Sequence, residues 1–207
     1  ISAKLVAHLL EESGADHVIT MDLHSSQIQG FFSIPVDGLD ARTIFASYFL
    51  GKNLKNPVVV SPDAGGAKRA KKLADEIGAE LAILNKTRPK HQEVEIMEIV
   101  GNIDGKTCIL FDDMIDTAGS FVSAKKVLID HGASEEMYAA ATHAILSGKA
   151  MQNLKKVNFT EVVVTDSTPV NTEGGFPLTI LPIAPMLAEV INHIERGESV
   201  TYIYRKK

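Results

Sequence analysis

Short apolar runs alternate with amphipathic stretches along almost the whole chain. Residues 2–13 place Leu5, Val6, Leu9 and Leu10 on one helical face, and Gly14 follows as a stop. Residues 17–23 read as a strand, followed by a patch at Gly30, Phe31 and Phe32 and then by Ile34, Pro35 and Val36. A helix is expected over 42–50. Val58, Val59 and Val60 form a short buried strand that runs into the loop Ser61-Pro62-Asp63-Ala64-Gly65-Gly66. A helix over 68–77, closed by Gly78, and a strand over 80–84 come next. Residues 85–92 are polar and basic and read as a mobile loop. The alternation over 94–100 is expected to form a hairpin with the glycine-flanked stretch 101–105. The apolar run 108–111 reads as a strand that ends at Asp112 and Asp113. Helices are then expected over 121–130, 150–154 and 185–196, and strands over 137–142, 161–165, 178–183 and 200–204.

This order predicts an α/β protein with a mostly parallel sheet and flanking helices. In such sheets, ligands sit beyond the carboxyl ends of the strands. Three expected strands end in polar loops, after Leu23, after Val60 and after Phe111, so chemistry is sought there.

Composition narrows the function classes. A chain of 207 residues with 45% hydrophobic and 23% charged residues has the makeup of a globular protein of one large or two small domains. Its net charge of -5 argues against a nucleic-acid partner, because phosphate-backbone binding needs a basic surface. A lone cysteine, Cys108, leaves no internal disulfide and fits a reducing, cytoplasmic setting. No apolar run approaches the roughly 18 residues a membrane span needs, and no signal peptide is visible, so no membrane role is expected. The first residue is Ile1, where a natural chain starts with Met, and an N-terminal part is expected to be missing.

The strongest local pattern is 108–120, CILFDDMIDTAGS. An apolar strand delivers two adjacent carboxylates, Asp112 and Asp113, although Asp is a poor strand residue. Adjacent carboxylates at a strand tip can accept hydrogen bonds from the vicinal hydroxyls of a ribose. Asp116, Thr117, Ala118, Gly119 and Ser120 then open a helix with small residues, exposed backbone amides and two hydroxyls. That combination cradles a phosphate with the positive end of the helix dipole behind it. The plainer reading is that Asp116, Thr117 or Ser120 caps the helix. Capping needs one of them and leaves the paired acids unexplained.

These thirteen residues resemble the phosphoribosyl-diphosphate binding motif of type I phosphoribosyltransferase folds. The form DDMIDTAG resembles in particular the ribose-phosphate diphosphokinases, also called phosphoribosyl pyrophosphate synthetases. Further blocks resemble the same family: MDLH at 21–24, QIQGFF at 27–32, IPVD at 34–37 and SPDAGGAKRA at 61–70. The resemblance runs along essentially the whole chain, with the blocks in order.

It implies a type I phosphoribosyltransferase-like domain over 39–195 that binds ribose 5-phosphate. Residues 1–38 would be the remnant of a similar N-terminal domain, and 196–207 a tail returning to it. It implies transfer of a diphosphate from ATP to the anomeric hydroxyl of ribose 5-phosphate, releasing AMP, in a homo-oligomer such as a hexamer. It also implies that Asp112 and Asp113 hold the ribose hydroxyls, that 116–120 hold the 5-phosphate, and that His24 and Asp63 bind magnesium. The basic stretch would be the family's catalytic loop, with Lys86 and Arg88 stabilising charge on the diphosphate. Thr87 stands where the family often has Arg. Much of the ATP site would lie outside this chain, leaving it inactive alone. Two other readings are a nucleobase phosphoribosyltransferase, which the MDLH and SPDAGGAKRA blocks disfavour, and a non-catalytic regulatory homologue, which intact Lys86, Arg88, Asp112 and Asp113 disfavour.

Overall fold

The computed structural model describes residues 1–87, 96–173 and 175–204. In chain order the elements are α1 (Ser2–Glu12), β1 (Val18–Met21), β2 (Val36–Leu39), α2 (Arg42–Gly51), β3 (Pro57–Ser61), α3 (Ala67–Ile77), β4 (Glu80–Thr87), β5 (Ile96–Val100), β6 (Thr107–Ile115), α4 (Gly119–Asp130), β7 (Met137–Ala144), α5 (Ala150–Val157), β8 (Glu161–Thr165), β9 (Leu178–Leu181) and α6 (Ala184–Glu195). Short 3-10 helices lie at Ser26–Phe31 and Val200–Tyr204. The chain divides into two compact units, Arg42–Ile183 and the combination of Ile1–Ala41 with Ala184–Lys207. The boundaries fall at 41/42 and 183/184, where the sequence reading set 38/39 and 195/196, so α6 groups with the first residues of the chain.

The larger unit is built on a seven-stranded sheet in the order β5-β4-β3-β6-β7-β8-β9. All neighbours are parallel except the edge pair of β4 and β5. Val58, Val59 and Val60 are fully buried, as are Cys108, Ile109, Leu110 and Phe111. Continuous apolar runs of this kind are what a parallel sheet covered on both faces demands. One face packs with Phe121, Ala124 and Leu128 of α4 and Leu154 of α5. On the other, Phe45 of α2 meets Phe111 edge to face, with ring centres 5.1 Å apart. Gly78 ends α3 in the left-handed region (φ 68°), its amide bonding Ala74 O.

Three sequence expectations change here. β4 does not stop at 84 but continues to Thr87, so the start of the supposed basic loop is a strand. β5 pairs with β4, Ile83 with Val100 through Thr87 with Ile96, rather than with 101–105. Gly101 is where the chain leaves that ladder: with φ +119°, a Cβ there would lie 2.7 Å from Leu81 O, so no other residue fits. Residues 200–204 form a 3-10 turn instead of a strand, since five residues of alternation do not separate the two.

In the other unit β1 and β2 pair in parallel, Val18 with Val36 through Met21 with Leu39. Asp22 adopts φ 40° at the end of β1 and accepts the amide of Ala41 at 3.1 Å, and Tyr204 Oη accepts the amide of Asp40 at 2.7 Å. In α1 the apolar stripe of Leu5, Val6, Leu9 and Leu10 is exposed, and Ala7 is the buried residue.

Candidate functional site

β6 runs past the expected stop at Phe111, so both acids lie within the strand. Its register with β7 pairs Asp112 with Ala141 and Met114 with His143, passing over Asp113. The amide of Asp113 donates instead to Asp112 Oδ1 at 2.9 Å. Arg69, in the first turn of α3, spans the pair: Nη1 lies 3.1 Å from Asp112 Oδ1 and Nη2 3.5 Å from Asp113 Oδ2. The two carboxylates keep 18% and 3% of their side-chain exposure. Burial pushes Asp112 well above the usual carboxylate range; the Asp113 amide and Arg69 pull it down, while the Asp113 carboxylate adds to the rise. The site therefore holds a second negative charge reluctantly and offers hydrogen-bond acceptors to a neutral polyol.

The loop after β3 faces this pair. Ser61, fully buried, donates to Asp63 O at 2.7 Å, and Asp63 Oδ1 accepts the amide of Gly66 at 2.9 Å. A Cβ on Gly66 would meet Ser61 Oγ at 2.8 Å, Asp112 Oδ1 at 3.5 Å and Asp63 Oδ1 at 3.8 Å. Glycine here keeps the floor between two strand exits clear, and it brings the two carboxylates within reach of one point.

The loop after β6 is built differently. Ala118 is the N-terminal cap residue of α4, buried and left-handed (φ 61°), and among the described residues no side chain caps the helix. The plainer capping reading of Asp116, Thr117 and Ser120 is therefore not what the chain does. The amides of Gly119, Ser120 and Phe121 stand where a helix has no internal acceptor. Asp116, Thr117, Gly119 and Ser120 are exposed, so the turn is open to solvent. Asp116 accepts a hydrogen bond from Ser147 Oγ, and Asn153 Nδ2 donates to Thr117 O at 3.0 Å.

The sequence reading set Asp63, Asp112, Asp113 and the turn 116–120 at the polar exits of two strands; in the fold these strands, β3 and β6, are neighbours, Asp63 and the turn follow them, and Asp112 and Asp113 lie inside β6 towards its carboxyl end. Lys86 is the penultimate residue of β4, in register with Met97. Arg88 lies outside the described residues. His24 is exposed after β1, in the other unit. The roles of Ser147 and Asn153 were not read, nor was the bridging of both acids by Arg69. Arg69 alone carried a signal, a cation in a first helical turn against the dipole. Among the described residues no group of three or more His, Cys, Asp or Glu side chains is gathered for a metal. The hard oxygens of Asp63 and Asp112 nevertheless suit magnesium, which takes one or two carboxylates and completes its shell with water and substrate phosphates.

The parallel sheet, with its acid pair and open turn at one strand exit, defines a type I phosphoribosyltransferase-like fold. An adenine phosphoribosyltransferase from Giardia lamblia shares that fold at 16% identity, with a TM-score of 0.51 over 60% of this chain and 75% of that one. The phosphoribosyl synthetase-associated domain family matches residues 84–205. Ribose-phosphate pyrophosphokinases of Oceanobacillus iheyensis and Bacillus subtilis are each 48% identical over 205 residues, 99% of this chain and 64% of theirs. The crystal structure of phosphoribosylpyrophosphate synthetase from Mycobacterium smegmatis superposes with a TM-score of 0.85 at 43% identity, covering 95% of this chain and 64% of that one. This chain belongs to the ribose-phosphate pyrophosphokinase family and spans about two-thirds of the length of these relatives. Among the described residues no helix is long and apolar enough to cross a membrane.

Proposed function

We propose that the chain carries the ribose 5-phosphate half of a ribose-phosphate diphosphokinase, which moves the diphosphate of ATP onto the anomeric hydroxyl and releases AMP. The acid pair of β6, set beside the uncapped and solvent-open start of α4, is the observation that carries this reading. In it, Asp112 and Asp113 accept the ribose hydroxyls. The turn 116–120 receives the 5-phosphate through its amides and the hydroxyls of Thr117 and Ser120. With both ends of the sugar phosphate held, the anomeric hydroxyl is oriented for in-line attack on the β-phosphorus. Lys86 and Arg88 stabilise the charge that develops there.

Magnesium, when bound, neutralises the diphosphate oxygens. Asp63 and Asp112 are the carboxylates of this unit that would hold it, and His24 is proposed as a metal ligand as well. The smaller unit would be the remainder of a second, similar domain, and the assembled enzyme a cytoplasmic homo-oligomer. The identity of the relatives favours this activity over base transfer, since the likeness to the adenine enzyme is one of fold.

The test is a product assay on the assembled enzyme. AMP is expected to form one for one with 5-phosphoribosyl 1-diphosphate, and only when ribose 5-phosphate is present. Lys86→Ala is expected to lower kcat by about 100-fold or more, the usual scale for losing one donor to transition-state charge. Diphosphate release that requires a nucleobase, with no AMP formed, would refute the assignment.

A further inference from the structure

The carboxylate of Asp116 is the odd member of a phosphate cradle, because an anion there repels the dianion it is meant to receive. Its surroundings explain it. Ser147 Oγ donates to that carboxylate, and the Ser147 amide donates to Asp116 O at 3.0 Å. One residue earlier, the Leu146 amide donates to Ile115 O at 3.0 Å. Asn153, in the first turn of α5, donates to Thr117 O at 3.0 Å. Four hydrogen bonds thus tie three consecutive residues, 115–117, to the segment that leaves β7 and to the first turn of α5. That segment is itself wound tightly: Leu146 has φ 49° and Gly148 φ 56°. A leucine in the left-handed region is strained, and such strain persists where the surroundings over-determine it. Leu146 also packs on the core under α4, which anchors the tie.

Each tie draws an acceptor of 115–117 towards the buttress. The next residue, Ala118, turns left-handed, and α4 begins with its amides uncapped. Pulling the oxygens one way leaves the amides facing the other, which is the condition for an anion nest.

We propose that Ser147 and Asn153 are positioning residues for sugar-phosphate binding. They act through Asp116 and Thr117, whose acceptors they engage, so that the Asp116 carboxylate is an anchor and not a contact to the phosphate. This rests on the assignment of the turn 116–120 to the 5-phosphate.

The experiment titrates ribose 5-phosphate into the 207-residue chain by calorimetry in magnesium buffer. Ser147→Ala and Asn153→Ala are each expected to raise Kd by about tenfold, the upper scale of one lost hydrogen bond. Ser147→Thr, which keeps the hydroxyl, is expected to stay within about twofold of the parent. Melting temperatures read alongside separate loss of the nest from loss of the fold, and each alanine variant stands in if the other does not fold. Parent and both alanine variants binding alike would overturn the buttress while leaving the substrate assignment intact. A threonine variant as weak as alanine would also overturn it. A parent that does not bind ribose 5-phosphate overturns the assignment of the turn and this inference with it.

Discussion

The two ends of the main sheet each bury an acid beside a cation, with opposite results. At the carboxyl end Arg69 spans Asp112 and Asp113, and burial still pushes Asp112 up. At the amino end Lys52 Nζ lies 2.7 Å from Glu161 Oε2, and Tyr48 and Thr179 hydroxyls donate to Oε1. Burial pushes Glu161 up too, but these hydrogen bonds together outweigh it and hold the carboxyl below its usual range. Lys52 also sits over the ring of Tyr48, 5.0 Å from its centre, and its own pKa is raised, first by Glu161. One acid there has two hydroxyl donors and an ammonium ion pair, whereas at the other end two acids share one guanidinium. The amino end fixes one acid between a cation and two hydroxyls, whereas the carboxyl end sets two acids on one cation and keeps Asp112 partly open to a polyhydroxy ligand.

The sharpest way to break this contrast is to exchange readouts between the ends. Asp113→Ala is expected to weaken ribose 5-phosphate binding by about 100-fold, near 3 kcal/mol, while the melting temperature moves by a few degrees at most. Glu161→Ala should do the reverse, leaving binding within about twofold and lowering stability by about 2 kcal/mol. That figure is set below the usual value for breaking a buried pair because Lys52 remains 34% exposed, and it corresponds to roughly 4–8 °C. Calorimetry and thermal melts on both variants decide it, and a Glu161 variant that loses binding would erase the division of labour.

Next in size is the dependence on pH, which has opposite signs at the two ends. Asp112 binds its proton more tightly folded than unfolded. Its contribution to stability is present below its ordinary pKa of about 4 and lost as pH rises through about 7. Asp112→Asn should therefore gain several degrees on the parent between pH 4 and pH 8. Glu161, held low, contributes above the ordinary carboxylate pKa and loses that contribution as pH falls. Glu161→Gln should thus be most costly near neutrality and converge on the parent in acid. Parallel slopes for the two variants would mean that the ends do not differ electrostatically.

The smallest effect is expected at Ala118. Glycine accepts φ 61° without the strain that alanine carries, so Ala118→Gly should change the melting temperature by about 1–2 °C or less and leave ribose 5-phosphate affinity within about twofold. A large loss of affinity would mean that the buried methyl group, and not the left-handed turn, shapes the nest.

Much of the site was legible because its residues are contiguous. CILFDDMIDTAGS carries strand, acids and turn in thirteen positions, and SPDAGGAKRA brings the facing loop in ten. Arg69 was half legible as a misplaced cation. Ser147 and Asn153 were not legible, since a serine and an asparagine near a helix start read as ordinary turn residues. The extent of β4 was misread for a related reason: Asn85, Lys86 and Thr87 look like loop until an edge partner supplies hydrogen bonds that polar residues accept as readily as apolar ones.

Apolar periodicity by itself determined the α/β class, the parallel core strands and the ends at which polar loops emerge, because burial on both faces leaves a continuous apolar run that no loop tolerates. Tertiary structure alone decided that one arginine spans both acids, that β5 folds back on β4, and that the 146–153 segment holds the turn at 115–117. Those are pairings between residues far apart in sequence. They depend on which groups are left without partners once the sheet has formed, and that is not written in the local pattern of any one segment.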